Sequence, residues 1–259
     1  MSAPLLRAAF AAILYGMLPA GAGEIAQPER KSGYDLMSRE IRAMQDDDTA
    51  NPGMLWVLDG EAFWSRKAGT AEKSCADCHG NAKTSMRGVA VRYPAFHAAQ
   101  GRPIDLDQRI NICRADQQKA TPLAPESKEL LSLSAYVSRQ SRGLPIEVTD
   151  ARLRPFVEKG RHLFERRQGQ INLSCAQCHD DRWGQRLAGN LIPQGHANGY
   201  PLYRLEWQGL GSLQRRLRNC LTGMRAELYP VGAQEYVDLH LYLKDRARGL
   251  VVEAPAVRP

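Results

Sequence analysis

The chain has 259 residues, with 35 Lys and Arg against 28 Asp and Glu, so its formal charge is +7. That length allows one large or two small domains with a sizeable core. The basic excess shows neither Lys/Arg runs nor an interleaved aromatic strip, which argues against nucleic-acid binding and leaves acidic partners or an anionic substrate.

At the start, Arg7 precedes an apolar run from Ala8 to Leu18, and Ala20-Gly21-Ala22 supplies small residues for cleavage. This order reads as a secretory signal peptide over residues 1–22 and predicts a periplasmic protein. The run is too short for a bilayer span, which needs about 20 apolar residues. No later stretch is long and apolar enough to span a membrane.

A first helix is predicted around Glu61 to Trp64, leading into Ser-Cys-Ala-Asp-Cys-His, where Cys75, Cys78 and His79 form a C-x-x-C-H motif. Tyr93-Pro94 and then Cys113 follow. Glu129 to Ser141 carries Leu130, Leu131, Leu133, Tyr136 and Val137 at helical spacing and runs out at Arg142-Gly143, a helix stop. Pro145 and Pro155 bracket a predicted linker. The order then repeats. A helix over Glu158 to Arg166 precedes Cys175, Cys178 and His179, followed by Tyr200-Pro201, Cys220, a helix over Gln234 to Arg246, and Gly249.

The two halves are copies of one unit. Cys75 maps to Cys175 at an offset of 100, whereas Tyr93-Pro94 and Cys113 map to Tyr200-Pro201 and Cys220 at 107, and Gly143 maps to Gly249 at 106. Ordered anchors with one small insertion define a duplication. The predicted fold is all-α: two tandem class I cytochrome c-like domains with long loops, residues 23–148 and 149–259.

In C-x-x-C-H the two thiols add to the haem vinyl groups and the adjacent histidine ligates iron. Paired zinc knuckles would place their cysteines tens of residues apart rather than 100, and a thioredoxin-like redox site needs a βαβ context that is missing. Two covalent haems c are therefore expected, held by Cys75 and Cys78 with His79, and by Cys175 and Cys178 with His179.

The sixth iron ligand is usually Met or His. Yet Met86 and Met224 do not match in the repeat, His97 maps to Arg204, His240 maps to Ser134, and His162 and His196 have no histidine counterpart. The remaining cysteines do repeat. A Cys113–Cys220 disulfide is one use for them in an oxidising compartment. Retention at the same place in both copies favours a job within each domain, as axial thiolate ligands. A thiolate donor lowers the haem potential and is itself the reactive form of sulfur. That counts against the two rival functions, a dihaem electron carrier without chemistry of its own and a dihaem peroxidase.

Two C-x-x-C-H units each followed by a ligand cysteine, with RNCLTGMRAELY around Cys220 and SREIRAMQDDDTANPGMLWVLDG upstream, resemble the SoxA family of bacterial thiosulfate oxidation. The resemblance spans about Ser38 to Gly249. It implies an L-cysteine S-thiosulfotransferase that couples thiosulfate oxidatively to a cysteine of the carrier SoxYZ, with the monohaem cytochrome SoxX as partner and electron acceptor. It also implies that Cys220 is both axial ligand and catalytic sulfur, carried as a persulfide, and that Arg216 binds the substrate. Four residues apart on a helix, Arg216 and Cys220 share a face, and a guanidinium fork suits a sulfonate. Arg109 stands equally before Cys113, so a haem propionate is a second candidate partner for both arginines.

Overall fold

The structure is a computed structural model in which residues 25–259 are described. The signal-peptide reading of residues 1–22 lies outside them.

The first unit contains α1 (Arg39–Asp46), α2 (Met54–Ser65), α3 (Cys75–His79), α4 (Ala82–Ser85), α5 (Val89–Arg92), α6 (Leu106–Cys113) and α7 (Lys128–Arg139). Its hairpin pairs β1 (Ala95–His97) with β2 (Arg102–Ile104). The second unit contains α8 (Arg154–Glu165), α9 (Cys175–His179), α10 (Leu213–Gly223) and α11 (Gln234–Arg246). A small hairpin pairs β3 (Arg186–Leu187) with β4 (Asn190–Leu191). A three-stranded sheet is ordered β6 (Gly209–Gly211), β5 (Leu202–Arg204), β7 (Ala256–Arg258), with β5 and β7 parallel. The chain is helix-rich, as expected. The strands are an addition, because two or three residues are too few for a period-two pattern to register in the sequence.

Each unit is built on a crossing of its first long helix with its last, α2 on α7 and α8 on α11. The crossing is close because Gly60 and Gly160 sit at the contact. A Cβ on Gly60 would fall 2.1 Å from the Ser132 carbonyl oxygen, and one on Gly160 would fall 2.1 Å from that of Asp238. Around each crossing the aromatic packing repeats. Trp64 lies edge-on to Tyr136 at 6.0 Å and Phe164 edge-on to Tyr242 at 5.3 Å between centroids. The closing helices end at Arg139 and Arg246, and Gly143 and Gly249 follow in the left-handed region at φ 82° and 88°.

The units embrace each other reciprocally. Trp56 of α2 meets Tyr203 of β5 at 5.9 Å, and Phe156 of α8 meets Phe96 of β1 at 6.4 Å. By the repeat offsets these are one contact made twice, as expected of a pseudo-twofold interface. The predicted linker is itself part of this junction. Ile146 donates to Leu250 O at 2.9 Å and accepts from Gly249 N at 3.1 Å, while Val252 N reaches Leu144 O at 2.9 Å. Ile146 is buried with Ala247, Val252 and Ala254. Proline punctuation marks the end of a helix, but it does not forbid pairing of the residues between.

Both ends of the described chain cross over. Lys31 N donates to Gln194 Oε1 at 2.7 Å, and Gln194 Nε2 donates to Glu29 O at 3.1 Å, which lays the leading segment on the second unit. The trailing strand returns to the first: Val257 N and Arg258 Nη1 both donate to Gln45 Oε1 of α1, at 3.0 and 2.6 Å.

Candidate haem and sulfur site

Each C-x-x-C-H motif forms a one-turn helix whose start is fixed by a capping box. Ser74 Oγ accepts from Asp77 N at 3.1 Å while Ser74 N donates to Asp77 Oδ2 at 2.7 Å. Ser174 and Gln177 do the same at 3.3 and 2.9 Å. These reciprocal bonds satisfy the free N–H groups at the helix start, so both cysteines and the histidine are presented from a defined turn. Behind it stands the aromatic crossing: the His79 ring is 5.8 Å from Trp64, and the His179 ring is 6.2 Å from Phe164.

In the second unit Cys175, Cys178, His179, Arg216 and Cys220 line one cavity of about 870 Å³. Three parts of the chain close it: the leading segment around Gly33 to Ile41, the β3–β4 hairpin, and Arg258 with Pro259. The hairpin belongs to the insertion that moves the repeat offset from 100 to 107. That insertion also brings Pro193, whose carbonyl lies 2.6 Å from His179 Nδ1 and accepts its proton. Nδ1–H is thereby occupied, and Nε2 is the nitrogen left available to a metal. Burial pushes the imidazole pKa down to about 4, against the pull of the Pro193 carbonyl, so the ring is neutral as a ligand must be. Burial, reinforced by the nearby Cys220, pushes the Cys175 thiol up to about 12, and the same two causes raise Cys178.

In the first unit Cys75 lies near Cys113 and Arg114, with its thiol pKa raised chiefly by burial. Cys78 is exposed, as is His79. This unit lacks the inserted cover. Cys113 ends α6 and Cys220 lies inside α10, whose start is capped by Ser212 accepting from Arg215 N at 3.2 Å. All six cysteines are free, so no Cys113–Cys220 disulfide joins the units.

The two arginines that precede these cysteines differ in engagement. Arg109 Nε donates to the Tyr93 hydroxyl at 3.2 Å. The guanidinium of Arg216 lines the cavity with Cys220 and makes no hydrogen bond or ion pair with another described residue. Of the other sixth-ligand candidates, Met86 is buried in a core cluster, whereas Met224, packed in a core cluster, and His196, whose Nδ1 is bound to Lys31 O at 2.8 Å, both line the cavity as well.

Three features of the site were not anticipated. Pro193 holds His179. Arg246 of α11 binds Asp180, the residue after that histidine, at 2.5 Å. Arg204 lines the same cavity as Cys220. The only advance sign of the first was the change in repeat offset, and the other two lie far apart in sequence with no local pattern.

A thiol pair, a neutral imidazole held by its other nitrogen and an enclosing cavity make a donor set that fits covalent haem; the class of protein is a c-type cytochrome. The family description "SoxA/TsdA, cytochrome c domain" matches residues 59–146 and 159–252, one stretch in each repeat unit. The SoxA subunit of L-cysteine S-thiosulfotransferase from Pseudaminobacter salicylatoxidans is 39% identical over 232 residues, 89% of this chain and 81% of the relative. That from Rhodovulum sulfidophilum is 35% identical over 231 residues, 89% of this chain and 80% of the relative. The crystal structure of SoxXA from P. pantotrophus superposes with a TM-score of 0.85 at 31% identity, covering 89% of this chain and 87% of that one. The chain belongs to the SoxA family and carries covalently bound haem c. Among the described residues no helix is long and apolar enough to cross a membrane.

Proposed function

We propose that this chain is the dihaem subunit of an L-cysteine S-thiosulfotransferase, working in the periplasm with the monohaem cytochrome SoxX on thiosulfate and the carrier SoxYZ. The reaction joins thiosulfate to a carrier thiol through a new S–S bond. It releases one proton and two electrons, and the product keeps a single negative charge on its sulfonate. Haem, when bound, supplies the exit for those electrons toward the partner cytochrome.

The observation that carries this reading is the cavity that brings Cys220 and Arg216 together beside Cys175, Cys178 and His179. Arg216 holds the sulfonate end with its fork of donors. Cys220, one helical turn on, would hold the iron through its sulfur and would also relay the substrate: its thiolate bonds to the outer sulfur of thiosulfate as two electrons leave, and the carrier thiol then takes over that bond, releasing its proton and the Cys220 thiolate. In the first unit, whose haem would be held by Cys75, Cys78, His79 and Cys113, the matching Arg109 gives its Nε to Tyr93, and the reading assigns the substrate to the second unit.

The test is conjugation of thiosulfate to the carrier cysteine, read by mass spectrometry with thiosulfate varied. Cys220→Ala abolishes conjugation and leaves the covalent haem in place, because attachment needs only Cys175 and Cys178. Arg216→Ala raises the thiosulfate requirement, a charged hydrogen bond being worth roughly 1.5–3 kcal/mol, and Arg216→Lys recovers part of the loss. Undiminished conjugation in Cys220→Ala overturns the mechanism.

A further inference from the structure

His97 and Arg204 hold the same place in the two units. Each is the third residue of the first strand of its hairpin, His97 opposite Arg102 and Arg204 opposite Gly209. Each also carries a buried side-chain nitrogen without a hydrogen-bond partner, Nδ1 of His97 and Nε of Arg204. Buried polar groups are almost always bonded, so two orphans at one repeated position call for a shared explanation.

Arg204 sharpens the case. It is only 8% exposed. Its Nη2 reaches Glu206 at 3.0 Å, and its guanidinium lies 5.3 Å from the Trp207 ring centroid. Neither contact uses Nε, and Arg204 lines the cavity that holds Cys175, Cys178 and His179. Burial and the neighbouring Arg216 both press its pKa down, so a second cation is being kept in a place that disfavours it. A buried charge persists where an opposite charge meets it, and Glu206, whose own side chain is 58% exposed, meets only Nη2. The proposed substrate site belongs to the second unit and does not account for the orphan in the first. The group that both units have in common is haem, whose anionic part is its pair of carboxylates.

We propose that His97 and Arg204 each donate a hydrogen bond to a propionate carboxylate of the haem in their own unit. The proposal rests on the reading that each unit carries a haem. The two positions differ in charge: an arginine sets a fixed cation beside the second haem's carboxylate, and an imidazole stands at the first. A fixed cation favours the reduced iron, so the second haem is tuned upward by a residue that the first does not possess.

The test uses the full holoprotein and its variants Arg204→Gln, Arg204→Lys and His97→Leu. Three quantities are read: covalent haem by denaturing mass spectrometry, the midpoint potential of each haem by redox titration followed optically and by EPR, and the propionate band in redox-difference infrared spectra. Arg204→Gln is expected to change the second haem's one-electron equilibrium constant about tenfold toward the oxidised form, ~59 mV, with a shifted propionate band and an unmoved first haem. Arg204→Lys restores most of that potential, and His97→Leu moves only the first haem. Unchanged potentials in Arg204→Gln, together with a higher thiosulfate requirement, overturn the proposal and give this arginine to the substrate. A mass increase of a single haem overturns the two-haem reading instead.

Discussion

Asp180, the residue that follows the histidine of the second C-x-x-C-H motif, is paired with Arg246 at the end of α11 at 2.5 Å, with side chains 8% and 2% exposed. The same guanidinium donates to Gln194 O at 3.1 Å, next to the carbonyl that holds His179. It also lies 4.6 Å from the Phe164 ring centroid. One buried cation therefore ties the haem motif, the inserted cover and the helix crossing together. Removing it strands the Asp180 charge. Arg246→Met should destabilise the second unit by roughly 3–5 kcal/mol, as for other broken buried pairs. The double variant with Asp180→Asn should recover part of that loss, because the stranded charge is gone. Denaturant unfolding of the four proteins in this cycle measures it, and equal losses in the single and double variants would contradict the account.

The glycines at the helix crossings make a second prediction. Gly60→Ala and Gly160→Ala each push a methyl group into a backbone carbonyl that cannot step aside without moving its helix. Overpacking of this kind costs about 1–3 kcal/mol. Alanine at the exposed Gly223, where a Cβ meets nothing within 4 Å, serves as the control and should be neutral or slightly stabilising. Thermal unfolding of the three variants checks the ordering.

Opposed pH dependences come from the cavity of about 120 Å³ between the units, which Asp105, Asp107, Glu126, His240 and Lys244 help to line. Burial, helped by the adjacent Lys244, holds the His240 pKa down at about 3. The unfolded chain takes up that proton near pH ~6.5, so this group's contribution to stability is lost as the pH falls from about 6.5 to 3. Asp107 acts the other way. Burial and the Asp105 and Glu126 carboxylates hold its pKa up at about 8, so the fold keeps a proton that the unfolded chain releases near ~3.9, and stability falls as the pH rises through that window. His240→Gln should flatten the acid limb of a melting-temperature profile. Asp107→Asn should be most stabilising, relative to the parent, near pH 8. Parallel profiles for parent and variants would refute both assignments.

Cys113→Met tests the proposal that Cys113 is the sixth ligand of a haem in the first unit. The variant should alter the absorption and EPR spectrum of one haem, leave the other unchanged, and leave thiosulfate conjugation largely intact. Identical spectra for parent and variant would remove Cys113 from the iron.

Much of this protein follows from short-range sequence alone. The C-x-x-C-H spacing, the helical periodicity of Glu129 to Ser141 and Gln234 to Arg246, and the repeat that aligns Cys113 with Cys220 are relations between residues that share a turn or an offset. Local backbone geometry carries such relations without reference to the fold. The tertiary structure decided which residues meet after the chain has doubled back. Pro193 reaches His179 only because the insertion folds over the motif. Trp56 finds Tyr203, and Phe96 finds Phe156, only because the units pack about a pseudo-twofold. Arg246 and Asp180, 66 residues apart, become partners only through the crossing at Gly160. Periodicity can place a side chain on a face, but the element that covers that face is chosen by the packing of the whole chain. For that reason the two C-x-x-C-H motifs and the repeated cysteines were legible in advance, while the groups that hold and cover the second motif were not.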